Sequence, residues 1–227
     1  MVVLGIETSS AVCSVGILDS EGKTFERRVV ESHIHSEKIL TIVDEVLTQA
    51  RTTLAACSAV AVSIGPGSFT GLRIGVSSAK GLCSAMNVPV VAVPTFGAIA
   101  AGASNSKLID SELLEVWIDA KQGDWYVERF VRNGRQFVSS RPVSISKREF
   151  LHSQDNASTT LLTDHPERFL NTTLANIMHV ESFLSGAAVA RFGQEMLLRF
   201  QTSNLANLEP LYLKDFIVRD VAKSPSP

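Results

Sequence analysis

Histidine, cysteine and net charge are all scarce in this 227-residue sequence, and each scarcity excludes something. No two of the five histidines stand four apart, so neither His-x-x-x-His nor His-Glu-x-x-His, the helical metal-binding spacings, occurs. His33 and His35 are two apart, which shares a face only on a strand, and they read as surface histidines rather than ligands. Cys13, Cys57 and Cys83 form no C-x-x-C and sit among apolar neighbours, as buried free thiols of a reducing compartment do. A net charge of −2 excludes gripping nucleic acid by charge alone. Nothing basic precedes Glu7, so the start does not read as a signal peptide, and a cytoplasmic protein is expected. Between Thr52 and Ser106 the only charges are Arg73 and Lys80. Pro66, Pro89, Pro94 and the glycines of that stretch break any spanning helix, so it reads as the buried half of a soluble fold with no membrane partner.

What is present has a clear order. Residues 2–7 and 12–18 are apolar and β-branched, Asp19-Ser20-Glu21-Gly22 is a hairpin turn, and 24–30 alternates as an edge strand. Ser36 is a cap for a helix from Glu37 to about Ala50. Its two apolar stripes, Leu40, Val43, Leu47 and Ala50 beside Ile39, Ile42 and Val46, are wider than one sheet requires. A strand at 59–64, a glycine loop, a helix over about 70–86, a strand at 88–93 and a helix from Thr95 follow, which implies parallel crossovers. After a polar boundary near 103–110 the pattern restarts with strands near 114–119, 124–131 and 135–140, turned at Asn133-Gly134. A short strand at 159–163, a helix around 186–200 and a Ser/Pro tail close the chain, the tail expected to be disordered. The class is α/β: a duplicated RNase H-like fold with mixed sheets and flanking helices. Its subdomains are expected at 1–105 and, smaller, at 106–215, with a flexible tail at 216–227.

The stretch "SIGPGSFTGLRIG" (63–75) invites a phosphate-loop reading, and spacing argues against it. Five residues after Gly65 stands Thr70, five after Gly67 stands Leu72, and no lysine follows. G-x-G-x-x-G also fails, because after Gly65 and Gly67 the third glycine, Gly71, arrives one residue late. The ensuing helix carries Gly71, Gly75, Ala79 and Cys83 at every fourth position, a ridge of small side chains, with Arg73 and Lys80 on its solvated face. Such a ridge fits either close approach of another helix or tight packing on the protein's own sheet.

Other chemistry is sparse. Glu7, Thr8 and Ser9 end the first strand as weak nucleotide-binding candidates, with plain turn chemistry as the alternative. Asp119 ends a strand before "AKQG" but has no matched second carboxylate, base or nucleophile in sequence.

Taken together, "VLGIETSSAVCSVGIL", "HSEKILTIVDEVL", "GPGSFTGLRIGVSSAKGL", "NVPVVAVPTFGAIA", "IDAKQGDWYVERF" and "PLYLK" resemble the TsaB/YeaZ family. The resemblance is dense over 3–130 and thin from about 140 to 205. It implies a reduced ASKHA-type fold and a non-catalytic scaffold for threonylcarbamoyladenosine (t6A) formation on tRNA. It implies catalysis by a heterodimeric partner, TsaD, which holds the ATP and metal, with TsaE in a ternary complex and tRNA reached only through the assembly. It also implies that the chain has no cofactor of its own. The implied surface for homodimer and heterodimer alike comprises Ile39, Leu40, Val43 and Leu47 of the first helix. To these it adds Gly67, Phe69, Thr70, Gly71, Leu72, Gly75, Val76, Ala79, Leu82 and Cys83 of the glycine loop and second helix. The family often has Asp where Glu7 stands and Arg where Lys121 stands. The alternative is a self-sufficient enzyme of the same fold, an ATP-dependent transferase or a metallopeptidase.

Overall fold

The computed structural model of the chain describes residues 1–30, 35–147, 159–169, 174 and 176–214. His33 and the tail at 216–227 lie outside them. β1 (Val3–Glu7), β2 (Val12–Leu18) and β3 (Thr24–Val30) run antiparallel, and β1 pairs in parallel with β4 (Ala59–Gly65), which pairs in parallel with β5 (Val90–Pro94). The order is β3-β2-β1-β4-β5.

Period-two alternation sorts the strand side chains to two faces. Leu4, Ile6, Val15, Ile17, Val60 and Val62 face α1 (His35–Gln49) and α2 (Phe69–Met86), where they meet Ile39, Ile42, Val43, Val46, Val76 and Ala79. α1 begins two residues before its expected start, so Ser36 falls inside its first turn. Ser68 caps α2, its Oγ accepting from the Gly71 N–H at 3.3 Å, and left-handed Asn87 ends the helix with its N–H on the Cys83 carbonyl.

On the opposite face lie α3 (Thr95–Ser104) and α4 (Gly186–Leu198). Gly5 and Gly16 pair in register, and a Cβ on them would stand 2.1 Å from the Gly186 carbonyl oxygen and 2.2 Å from the Ala187 nitrogen. α4 therefore rests its backbone on the strands, which only glycine permits. The first sheet ends at Pro94 and the second begins at Leu113, and α4, which follows the second sheet in sequence, folds back onto the first.

The second sheet contains β6 (Leu113–Asp119), β7 (Asp124–Asn133), β8 (Gln136–Lys147), β9 (Thr159–Thr163) and β10 (Asn176–His179). Its order, β10-β9-β6-β7-β8, repeats the first topology: three antiparallel strands, then two parallel ones. The duplication is therefore real, and it is reduced, since a short 3₁₀ turn (Pro166–Phe169) lies between β9 and β10. β8 runs seven residues past its expected end because it follows β7 throughout, with register shifts. A core of Val12, Phe96 and Ile99 against Leu114, Phe130 and Leu162 joins the two halves. Among the described residues no helix is long and apolar enough to cross a membrane.

Candidate functional site

The glycine loop is consumed by the fold's own packing. Gly65 has φ +122°, a left-handed value, and a Cβ there would lie 3.0 Å from the Leu211 carbonyl oxygen. A Cβ on Gly67 would lie 2.4 Å from the Ser9 carbonyl oxygen, and the neighbouring Ser68 N–H donates to that same oxygen at 2.6 Å. On Gly71 and Gly75 it would lie 2.1 Å from the Thr8 carbonyl oxygen and 2.2 Å from Thr8 Oγ1. The ridge of α2 thus presses on the end of β1.

Placement narrows the expected interface. Ile39, Val43, Leu47, Leu72, Val76, Ala79 and Cys83 are buried core residues, and Gly71 and Gly75 are sealed against Thr8. Of the residues named for the partner surface, Leu40 and Thr70 are exposed, and Gly67, Phe69 and Leu82 are half-buried. The outer face of α2 also shows Ser77, Gly81, Ser84 and Ala85. Among the described residues nothing lies within 4 Å of a Cβ built on Gly81. Arg73 and Lys80, expected on a solvated face, hold other parts of the chain. Arg73 lies over the Phe69 ring at 4.0 Å and donates to the Tyr212 hydroxyl at 3.1 Å. Lys80 donates to the Ala206 and Leu208 carbonyls.

At the end of β1, Glu7 is fully buried. Its Oε1 accepts from the Ser9 N–H at 2.6 Å, while Oε2, Thr8 Oγ1 and Ser9 Oγ find no hydrogen-bond partner among the described residues. Burial pushes the Glu7 carboxyl up, and the hydrogen bond from the Ser9 N–H offsets only part of that.

A cleft of about 940 Å³ separates this region from the second sheet. Ser9, Gly67, Phe69 and Thr70 line one wall, and Asp119, Lys121, Asp164 and Lys214 line the other. Asp164 is the second carboxylate that the sequence did not show: it follows β9, whose end lies beside β6, and accepts from the Asp119 N–H at 3.1 Å. Asp119 is partly desolvated, yet the hydrogen bonds and charge of Lys121 outweigh that and hold it below the ordinary aspartate value. Asp164 is pushed up, mainly by burial. Two carboxyls with opposed tendencies are the raw material of acid–base chemistry, but both are tied to turn backbone. Asp119 Oδ1 accepts from the Lys121 N–H at 2.8 Å, the geometry of an Asx turn. His165 stands 3.7 Å from Asp119 and 2.9 Å from Glu167. Among the described residues no three His, Cys, Asp or Glu side chains converge as a metal site. The sequence, which lacks His-x-x-x-His, does not fit the metal centre implied for the catalytic relative.

Comparisons with known proteins agree with this architecture. The TsaD family model, tRNA N6-adenosine threonylcarbamoyltransferase, matches residues 29–215. The tRNA threonylcarbamoyladenosine biosynthesis protein TsaB of Haemophilus influenzae is 28% identical, over 95% of this chain and 94% of that protein. TsaB of Escherichia coli is 33% identical over 59% of this chain and 56% of its own length. The solved structure of YeaZ from Pseudomonas aeruginosa superposes with a TM-score of 0.81 at 21% identity, covering 93% of this chain and 99% of its own. With a match spanning most of its length, a duplicated fold shared with YeaZ and relatives named TsaB, the chain belongs to the family that the TsaD model describes, and within it to the TsaB/YeaZ members.

Proposed function

We propose that this chain is a non-catalytic subunit required for t6A formation at adenosine 37 of tRNAs that read ANN codons. It acts by docking on a catalytic TsaD-type partner through the outer faces of α1 and α2. TsaE joins the ternary complex, tRNA is reached only through the assembly, and ATP and metal reside in the partner. The same faces pair two copies of the chain, so homodimer and heterodimer exclude each other.

The observation that carries this reading is Gly81. A glycine inside a helix costs up to about 1 kcal/mol relative to alanine. At Gly71 and Gly75 the fold itself explains that cost; at Gly81, exposed and with open space around it, it does not. Ser77, Gly81 and Ala85 succeed one another at every fourth position on the outer face, and no charge falls between Lys80 and the helix end at Met86. A second helix can approach such a face closely. Leu40, 57% exposed on α1, offers a further apolar contact. Three buried free thiols suit a reducing cytoplasm.

A second reading, a self-sufficient enzyme, has one observation in its favour: Asp119 and Asp164 meet at the cleft. Their engagement with turn backbone weighs against it. Reconstitution of the tRNA modification from purified TsaD- and TsaE-type proteins, with and without this chain, separates the two. The docking reading expects modification only when all components are present. Modification by this chain alone would favour the enzyme.

A further inference from the structure

After α4 the chain returns along the first sheet as an irregular segment, residues 203–214, with a turn at 206–207, and its attachments follow one another in order. The Ser203 N–H donates to the Val90 carbonyl at 2.9 Å, and Ser203 Oγ accepts from the Ala92 N–H at 3.1 Å. Lys80 holds the Ala206 and Leu208 carbonyls at 3.1 and 3.3 Å. The Leu211 N–H donates to the Ile64 carbonyl at 2.7 Å, and the Tyr212 ring packs on Phe69 with centroids 5.1 Å apart. All of these anchors belong to the first sheet and α2.

Lys214 crosses over. Its ammonium has three protons and meets three acceptors of the second half: the Ala120 carbonyl at 3.3 Å, the Lys121 carbonyl at 2.9 Å and Asp124 Oδ2 at 2.7 Å. The Lys214 and Asp124 side chains are only 20% and 24% exposed, which sets the pair apart from a freely solvated surface bridge. The turn it holds is unusual. Lys121, Gln122 and Gly123 have φ of 63°, 60° and 85°, so two consecutive non-glycine residues are left-handed. Such conformations persist only where surrounding contacts impose them. At the cleft floor, Val180 and Leu184 belong to the core that joins the two halves, so that end is fixed. Lys214 lines the same cleft from the chain's return segment.

We propose that residues 203–214 are a strap whose last side chain, Lys214, latches the second sheet to the first across the cleft, and that releasing Lys214 opens the cleft about the shared core. The proposal does not depend on the docking surface.

The test uses the full chain with spin labels on Ala55→Cys and Ser144→Cys, exposed positions, one in each half of the fold. The three native thiols are buried and leave the introduced sites to react first. Wild-type Lys214 is expected to give one narrow label-to-label distance. Lys214→Met is expected to broaden and lengthen that distance, and to speed amide exchange at Asp124, whose N–H donates to the Lys121 carbonyl, at least tenfold. An unchanged distance overturns the latch, even if the turn itself exchanges faster. If Lys214→Met does not fold, Lys214→Ala removes the ammonium from all three acceptors, and an unchanged distance in it counts equally against the proposal.

Discussion

Thr8 Oγ1 occupies the space where any side chain at Gly75 would have to begin, 2.2 Å from a Cβ built on that glycine. A Cβ built on Gly81, six residues on in the same helix, meets nothing within 4 Å among the described residues. One helix therefore carries glycines of opposite meaning, one required by the fold and one that the fold leaves unexplained.

Stability measurements separate the two. Gly75→Ala forces α2 off β1, and overpacking of this kind costs about 1–3 kcal/mol. Gly81→Ala removes a helix-interior glycine and is expected to gain up to about 1 kcal/mol. Thermal or urea unfolding of the two variants should move in opposite directions from wild type. A neutral Gly75→Ala would contradict the close approach.

The pH dependence of Glu7 has a definite sign. Its folded value lies above the ordinary glutamate value, so its stabilising contribution is complete below about pH 4.5 and is lost as pH rises through the folded value. Glu7→Gln cannot ionise, and Gln Oε1 can still accept from the Ser9 N–H. Relative to wild type, the variant should gain stability from pH 4.5 to pH 7. A variant that instead loses ground over that interval would show that the ionised carboxylate is the stabilising form.

The cysteines are expected to be inert. Burial pushes Cys13 and Cys83 up to about 11, the buried Glu7 carboxyl adding to the effect at Cys13, and burial raises Cys57 as well. Thiolate is the reactive species. A thiol reagent at pH 8 should label the native chain slowly and all three sites promptly in denaturant. Rapid native labelling of one cysteine would contradict the packing around it.

The carboxylates of the cleft test the non-catalytic reading. Asp119→Asn keeps an oxygen for the Lys121 N–H and removes a charge pair whose Lys121 side chain is 79% exposed, worth at most about 1 kcal/mol. Modification in the reconstituted system should stay within threefold of wild type. A hundredfold loss, about 2.7 kcal/mol of transition-state stabilisation, with assembly intact, would make Asp119 catalytic.

Much of the fold was legible because its signals are local. The alternation of 24–30, the Asn133-Gly134 turn and the apolar run before Gly65 each name their element without tertiary help. β10 was not legible: four residues, Asn176–His179, carry too little pattern, and parallel pairing with β9 is what makes them a strand. The candidate site was harder still. The spacing of Gly71 and Gly75 shows a ridge but not what it faces, which depends on where Thr8 lies. Asp164 is 45 residues from Asp119 and reaches it only because β9 lies beside β6. Leu211 and Lys214 matter through partners far away in sequence, Ile64 and Asp124, for which periodicity has no signal.

The most direct test of the docking account is the affinity of Gly81→Leu for the TsaD-type protein of the same organism, measured beside its homodimer constant and its melting temperature. Open space at Gly81 predicts a melting temperature at or above wild type. A leucine wedged between partner helices is expected to cost about 1–3 kcal/mol, which weakens association tenfold to a hundredfold. Loss of both associations with normal melting, and with t6A formation falling in parallel, is the predicted result. Wild-type affinity for both partners in a normally folded Gly81→Leu chain would contradict the account.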